Sequence, residues 1–131
     1  METFRVKTSQ RTEFVSITQS VSQILSTTGI KEGACIVYVP HTTAAVTINE
    51  NADPAVPRDV ISELNKVIPF NDNYTHLEGN SAAHIKASLI GPSVYIPVTN
   101  GKLSLGTWQG IFFCEFDGPR NRTVFVQVVK A

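Results

Sequence analysis

Phe4, Val6 and Thr8 alternate with Arg5, Lys7 and Ser9 at the start of the chain. Period-two alternation turns one side of an extended segment to a core and the other to solvent, so it predicts a half-buried strand. A polar turn at Gln10-Arg11-Thr12 then leads into residues 13–18, a hairpin partner for that strand. The period changes next. Val21, Ile24, Leu25 and Thr28 recur at helical spacing, which predicts a short helix over 18–28 closed by a left-handed Gly29. Residues 34–39 are almost continuously apolar and read as a central strand stopped by Pro40. Residues 44–49 read as a second strand and a candidate partner for it. Asp53-Pro54 offers a cap and a first-turn proline, followed by an apolar stripe of Val56, Val60, Leu64 and Val67 with Ile61 and Ile68. Pro57 leaves two helix starts open, one at Pro54 and one at Pro57 itself; Pro69 ends the helix. Gly79-Asn80-Ser81 opens a third helix over 81–89, ended by Gly91-Pro92. The rest is strand-like, at 93–98, 103–105, 109–116 and 123–129, with an Asn100-Gly101 hairpin turn and a Gly118-Pro119 turn.

Helices and strands are mixed without regular βαβ alternation. The expected class is therefore α+β, mostly antiparallel sheet with about three short helices. Abundant β-formers (15 Val, 11 Ile, 13 Thr) agree with that class, and 131 residues suit one domain over 1–131.

Charge narrows the function. Eleven basic and eleven acidic residues cancel, and charged residues are only 17% of the chain. A nucleic-acid binder needs a basic surplus to neutralise phosphates, and a polybasic membrane-surface protein needs one too. Both are excluded as expectations. Weak net repulsion also favours self-association. No apolar run approaches the ~18 residues of a membrane helix. The first residues lack the apolar segment of a signal peptide. Cys35 and Cys114 lie in apolar runs, as buried reduced thiols of a cytoplasmic protein would.

All three histidines, His41, His76 and His84, fall within one stretch of the chain. His41 follows a buried strand, His76 sits in a polar loop and His84 in the third helix. Three imidazoles suit a divalent metal with one position left open, although their spacing matches no compact zinc signature. Three unrelated histidines remain the alternative. Glu50, Asp53 and Glu78 lie near these segments. Glu115 and Asp117 fall on one side of a strand, as a shared acid site with a cation between them or as a solvent-facing pair bridged to arginines. Arg120 and Arg122 follow in Gly118-Pro119-Arg120-Asn121-Arg122. They read as a bidentate fork for phosphate or as a charged hairpin tip. Trp108, the sole tryptophan, reads as core or subunit contact.

Five ordered motifs together resemble one known family. They are Pro40-His41-Thr42-Thr43-Ala44-Ala45, Asn49-Glu50-Asn51-Ala52-Asp53-Pro54, His76-Leu77-Glu78-Gly79-Asn80-Ser81-Ala82-Ala83-His84, Gly101-Lys102-Leu103-Ser104-Leu105-Gly106-Thr107-Trp108-Gln109 and Glu115-Phe116-Asp117-Gly118-Pro119-Arg120-Asn121-Arg122. The chain resembles the YjbQ family, named for a secondary thiamine-phosphate synthase activity, across essentially its whole length. The resemblance implies a compact α+β homotrimer with sites at or near subunit boundaries. It implies a zinc-like divalent metal at His41, His76 and His84. It also implies weak thiamine-phosphate synthase activity, in which a pyrimidine diphosphate joins a thiazole phosphate and diphosphate leaves. On that expectation Arg120 and Arg122, with Lys102 and Asn51, hold phosphate groups. His41, Glu50, His84 and Asp117 orient ligands or move protons. Metal-dependent hydrolysis of a small phosphorylated or cyclic metabolite is the competing expectation, and a non-catalytic anion-binding module the third.

Overall fold

The structure is a computed structural model describing residues 1–131. It contains eight strands and three helices in two antiparallel sheets. The larger sheet runs β1 (Glu2–Lys7), β8 (Asn121–Lys130), β3 (Gly33–Tyr38), β5 (Ser93–Thr99) and β6 (Lys102–Leu103). The smaller runs β2 (Glu13–Ser16), β7 (Gln109–Glu115) and β4 (Ala44–Glu50). The expected α+β class holds.

β7 organises the interior because both of its faces are buried. Ile111 and Phe113 join Val46, Val37, Val124 and Val126 in a core between the sheets, which α1 (Thr18–Thr28) completes with Val21 and Leu25. Phe112 and Cys114 face the other way, where Phe116, Ala45, Ala83 and Ala87 form a second core. There α2 (Ala55–Val67) and α3 (Ser81–Ile90) cover the small sheet. A strand between two cores reads as a continuous apolar run, which is the pattern of 111–114.

Several local expectations hold for the reasons that suggested them. α1 spans Thr18–Thr28 and Gly29 closes it at φ 68°. Asn100 and Gly101 turn β5 into β6 with φ 52° and 76°. α2 begins at Ala55, whose N–H donates to Asp53 Oδ1 at 2.9 Å. Pro57 stands in the first turn, where an N–H has no helical acceptor and its loss costs nothing.

Strand partners differ from expectation. β2 pairs with β7, and β1 pairs with β8 instead. β4 also pairs with β7, while β3 lies between β8 and β5 in the other sheet. Alternation reports which face of a strand is buried, not which strand lies beside it. Trp108 is exposed, outside both cores. No helix is long and apolar enough to cross a membrane.

Candidate functional site

The β3–β4 connection, the α2–α3 loop, α3 and the β7–β8 turn converge on one polar cavity of about 430 Å³. Pro40, His41, Thr42 and Thr43 come from the first. His76, Glu78 and Asn80 come from the loop, and His84 from the first turn of α3. Arg120 and Arg122 come from the β7–β8 turn and the start of β8. Apart from Pro40, every side chain that lines it carries a polar or charged group.

Glu115 and Arg122 form the floor. Glu115 ends β7 wholly buried. It receives Thr8 Oγ1 at 2.7 Å, Arg122 Nε at 2.9 Å and Asp117 N–H at 3.1 Å, with Arg122 Nη2 on its second oxygen as well. Burial pushes this carboxyl up, but these donors and the guanidinium charge together hold it below the usual carboxylate value. Arg122 Nη2 also donates to Thr43 Oγ1 at 2.9 Å. The Arg122 fork is therefore occupied by protein, which corrects its reading as an open phosphate clamp. Glu115 and Asp117 are not a solvent-facing acidic pair. Each has its own arginine, Arg122 for Glu115 and Arg120 for Asp117.

Arg120 is the accessible cation. Its Nε donates to Asp117 O at 2.8 Å and its Nη2 to Asp117 Oδ2 at 3.1 Å, yet half of its side chain is exposed. Asp117 orients Arg120 from beside the cavity and also accepts Asn80 Nδ2 at 2.9 Å. That bond fixes the Asn80 amide and leaves its buried Oδ1 with no partner. An unsatisfied buried acceptor beside a cavity marks a place for a donor or a cation. Asn80 sits at the start of α3, and sequence alone read it only as part of a helix-start signal. Thr8 and Thr43 were missed as well, because ordinary threonines give no sequence sign of holding a buried ion pair.

His41 Nε2 accepts the Thr123 N–H at 3.0 Å, so the neutral ring carries its proton on Nδ1. Burial and the Arg122 charge lower its pKa, against a smaller opposing effect of the Glu115 charge. His76 and His84 meet edge to face with ring centroids 5.3 Å apart, and His76 Nε2 lies 3.9 Å from Glu78 Oε1. The loop that carries His76 is fastened at its start. Phe70 lies beneath Arg11 and Lys86, 4.1 and 4.4 Å from the ring centre. Buried Lys86 donates to Asn65 Oδ1 at 2.5 Å.

The cavity thus brings together His41, His76, His84, Arg120 and Arg122, with Asp117 directly behind. Glu50, Asn51 and Lys102 are not among them. Glu50 ends β4 at the edge opposite Ala44, about 20 Å along the strand at ~3.4 Å per residue. Asn51 packs against Gly110, with its Nδ2 3.5 Å from Ser16 Oγ. Lys102 lies on the edge strand β6.

A family model described as UPF0047 protein YjbQ-like matches residues 2–131. The chain belongs to the YjbQ-like UPF0047 family. A UPF0047 protein of Methanocaldococcus jannaschii is 54% identical over 126 residues, covering 96% of this chain and 91% of that one. The UPF0047 protein YugU of Bacillus subtilis is 49% identical, covering 98% of each chain. A YjbQ/UPF0047 crystal structure from Clostridium acetobutylicum superposes with a TM-score of 0.97 at 53% identity, covering 98% of this chain and 100% of that one. Within the YjbQ-like fold, the His76–His84 segment and the β7–β8 turn carry the polar cavity.

The donor set fits a zinc-like metal in kind, because imidazole suits borderline ions better than magnesium. In position, no three His, Cys, Asp or Glu side chains stand close enough to share an ion. His41 would reach one only by giving up Thr123.

Proposed function

We propose that the polar cavity binds a small phosphorylated substrate and a divalent metal, and that its chemistry is transfer of the thiamine-phosphate synthase type. The observation that carries this reading is the meeting of three imidazoles and a half-exposed arginine in one predominantly polar cavity. Arg120 holds a phosphate group and offsets charge on departing diphosphate. Asp117 keeps that guanidinium in place. His76 and His84 hold the metal, and His41 joins them on release of Thr123 or else donates a hydrogen bond from Nδ1. A bound metal of this kind supplies a Lewis acid for a phosphate oxygen. Glu50, Asn51 and Lys102 act at this site only from a neighbouring copy, as a homotrimer with sites at subunit boundaries would allow. The two unpaired, buried thiols support a cytoplasmic setting.

Hydrolysis of a small phosphorylated or cyclic metabolite is the second reading. The imidazole-rich donor set favours it, since three imidazoles and an open position are the ligand pattern of hydrolytic zinc.

The test is formation of thiamine monophosphate from the two precursors by purified protein. Arg120→Ala and His84→Ala are each expected to reduce the rate at least about hundredfold, as removal of a transition-state donor does. Turnover in wild type no greater than in the His84→Ala protein eliminates the synthase reading. Metal analysis after preparation without chelators decides the metal. A metal content unchanged in a His76→Ala, His84→Ala double variant eliminates the proposed ligands.

A further inference from the structure

Arg11 does not line the polar cavity, yet it touches both of the segments that build it. Its carbonyl accepts the Gly118 N–H at 3.0 Å, in the turn that presents Arg120. Its guanidinium lies 4.1 Å from the centre of the Phe70 ring, at the start of the loop that presents His76. The main chain of one residue thus holds the cation's segment and its side chain the imidazole's.

The grip on the loop is shared. Lys86 Nζ lies 4.4 Å from the same ring centre and donates to Asn65 Oδ1. Asn65 Nδ2 in turn donates to Thr12 Oγ1, beside Arg11, at 3.3 Å. No carboxylate pairs with Arg11 or Lys86. Two like charges repel, so the negative face of the aromatic ring is what draws both to this place. Lys86 stands two positions beyond His84 in α3, and at 3.6 residues per turn the two side chains leave the helix on nearly opposite sides. The loop therefore crosses α3. It is fastened at Phe70 on the Lys86 side, and on the other side His76 meets His84 with ring centroids 5.3 Å apart. The hydrogen bonds of residues 71–79 stay within 69–79. Where the loop lies is thus set at its two ends, by Phe70 and by the bond of Asn80 to Asp117.

We propose that Arg11 is a positioning residue that sets the two halves of the cavity against each other: its guanidinium seats Phe70 and so holds His76 against His84, while its carbonyl holds the Arg120 turn. The consequences for metal and phosphate rest on the reading above; the seating of the loop does not. A metal at His76 and His84 needs both rings in place at once. A phosphate at Arg120 needs only the turn. Loss of the guanidinium therefore acts on the first and spares the second.

The experiment compares wild type with Arg11→Met, which keeps the carbonyl and an aliphatic stem, and with Arg11→Lys, which keeps a cation over the ring. Nuclear Overhauser contact between the His76 and His84 rings reads the seating directly. It is expected in wild type and in Arg11→Lys, and is expected to be lost in Arg11→Met. Calorimetry on the same proteins is expected to show zinc bound about fivefold more weakly by Arg11→Met, with inorganic phosphate within about twofold of wild type and zinc affinity restored in Arg11→Lys. Phe70→Leu removes the ring face from the cation. It is expected to repeat the Arg11→Met result, and adding Arg11→Met to it is expected to change nothing further. Ring contact absent from wild type, or unchanged in Arg11→Met, overturns the proposal. Equal losses of zinc and phosphate overturn it as well, because they mark a general loosening of the fold. Zinc or phosphate binding absent from wild type removes that part of the reading above, and the ring contact alone then decides the proposal.

Discussion

Glu115 and Arg122 exchange charge and hydrogen bonds where Glu115 is wholly buried and Arg122 nearly so. Removing one partner strands the other, whereas removing both removes the cost of burying them. Glu115→Met is therefore expected to destabilise the fold by about 3–5 kcal/mol, and the Glu115→Met, Arg122→Met pair by clearly less than the sum of the singles. Urea unfolding checks both, and additive losses would show that the ion pair carries no coupling. The same residues show what one sequence conceals. Arg120 and Arg122 are one residue type two positions apart, and alternation alone makes them equivalent. Both line the cavity, but Arg122 is held by a buried carboxylate and Arg120 is half-exposed. The difference arises from Thr8, more than a hundred residues earlier, which donates to Glu115, and from Thr43, which accepts from Arg122.

Among the elements, Gly118 is the tightest constraint on the site. It lies in the turn that delivers Arg120, and its N–H donates to Arg11 O at 3.0 Å. A Cβ there would stand 2.2 Å from Gln10 O and 2.8 Å from Glu115 Cγ. Backbone and a buried ion pair cannot both yield, so Gly118→Ala is expected to cost at least about 1–3 kcal/mol, as overpacking does. It should weaken phosphate binding as well, because the turn moves with Arg120. A thermal shift close to wild type would refute the constraint. Element identity was legible in the sequence because its signals are local: Gly29 after α1, Asp53 before α2, Asn100-Gly101 between β5 and β6. Strand pairing was not. β2 and β4 both pair with β7, which lies about a hundred residues from the first and some sixty from the second, and nothing in their alternation names that partner. The histidines were legible as candidates for the same reason that pairing was not: side-chain chemistry is local, whereas their meeting requires the whole fold.

At the scale of the molecule, eleven positive and eleven negative charges cancel, but the cancellation is not spread evenly. Glu115–Arg122 lies between the two cores and the cavity, so the site and the interior share one electrostatic joint. This makes the stability of the protein depend on acid through one buried group. Glu115 has a folded pKa below the ordinary carboxyl value of about 4.5, so between the two values the unfolded chain binds more protons than the native one. Stability from this group is thus fully present above about pH 4.5 and is lost as pH falls through the folded pKa. In the Glu115→Met, Arg122→Met variant that contribution is absent at every pH. Urea unfolding of wild type and double variant from about pH 7 down to about pH 3 should therefore give curves that are parallel at the top of the range and converge below about pH 4.5. Curves that stay parallel to the lowest pH would place the acid sensitivity elsewhere and leave the buried pair as a fixed part of the core.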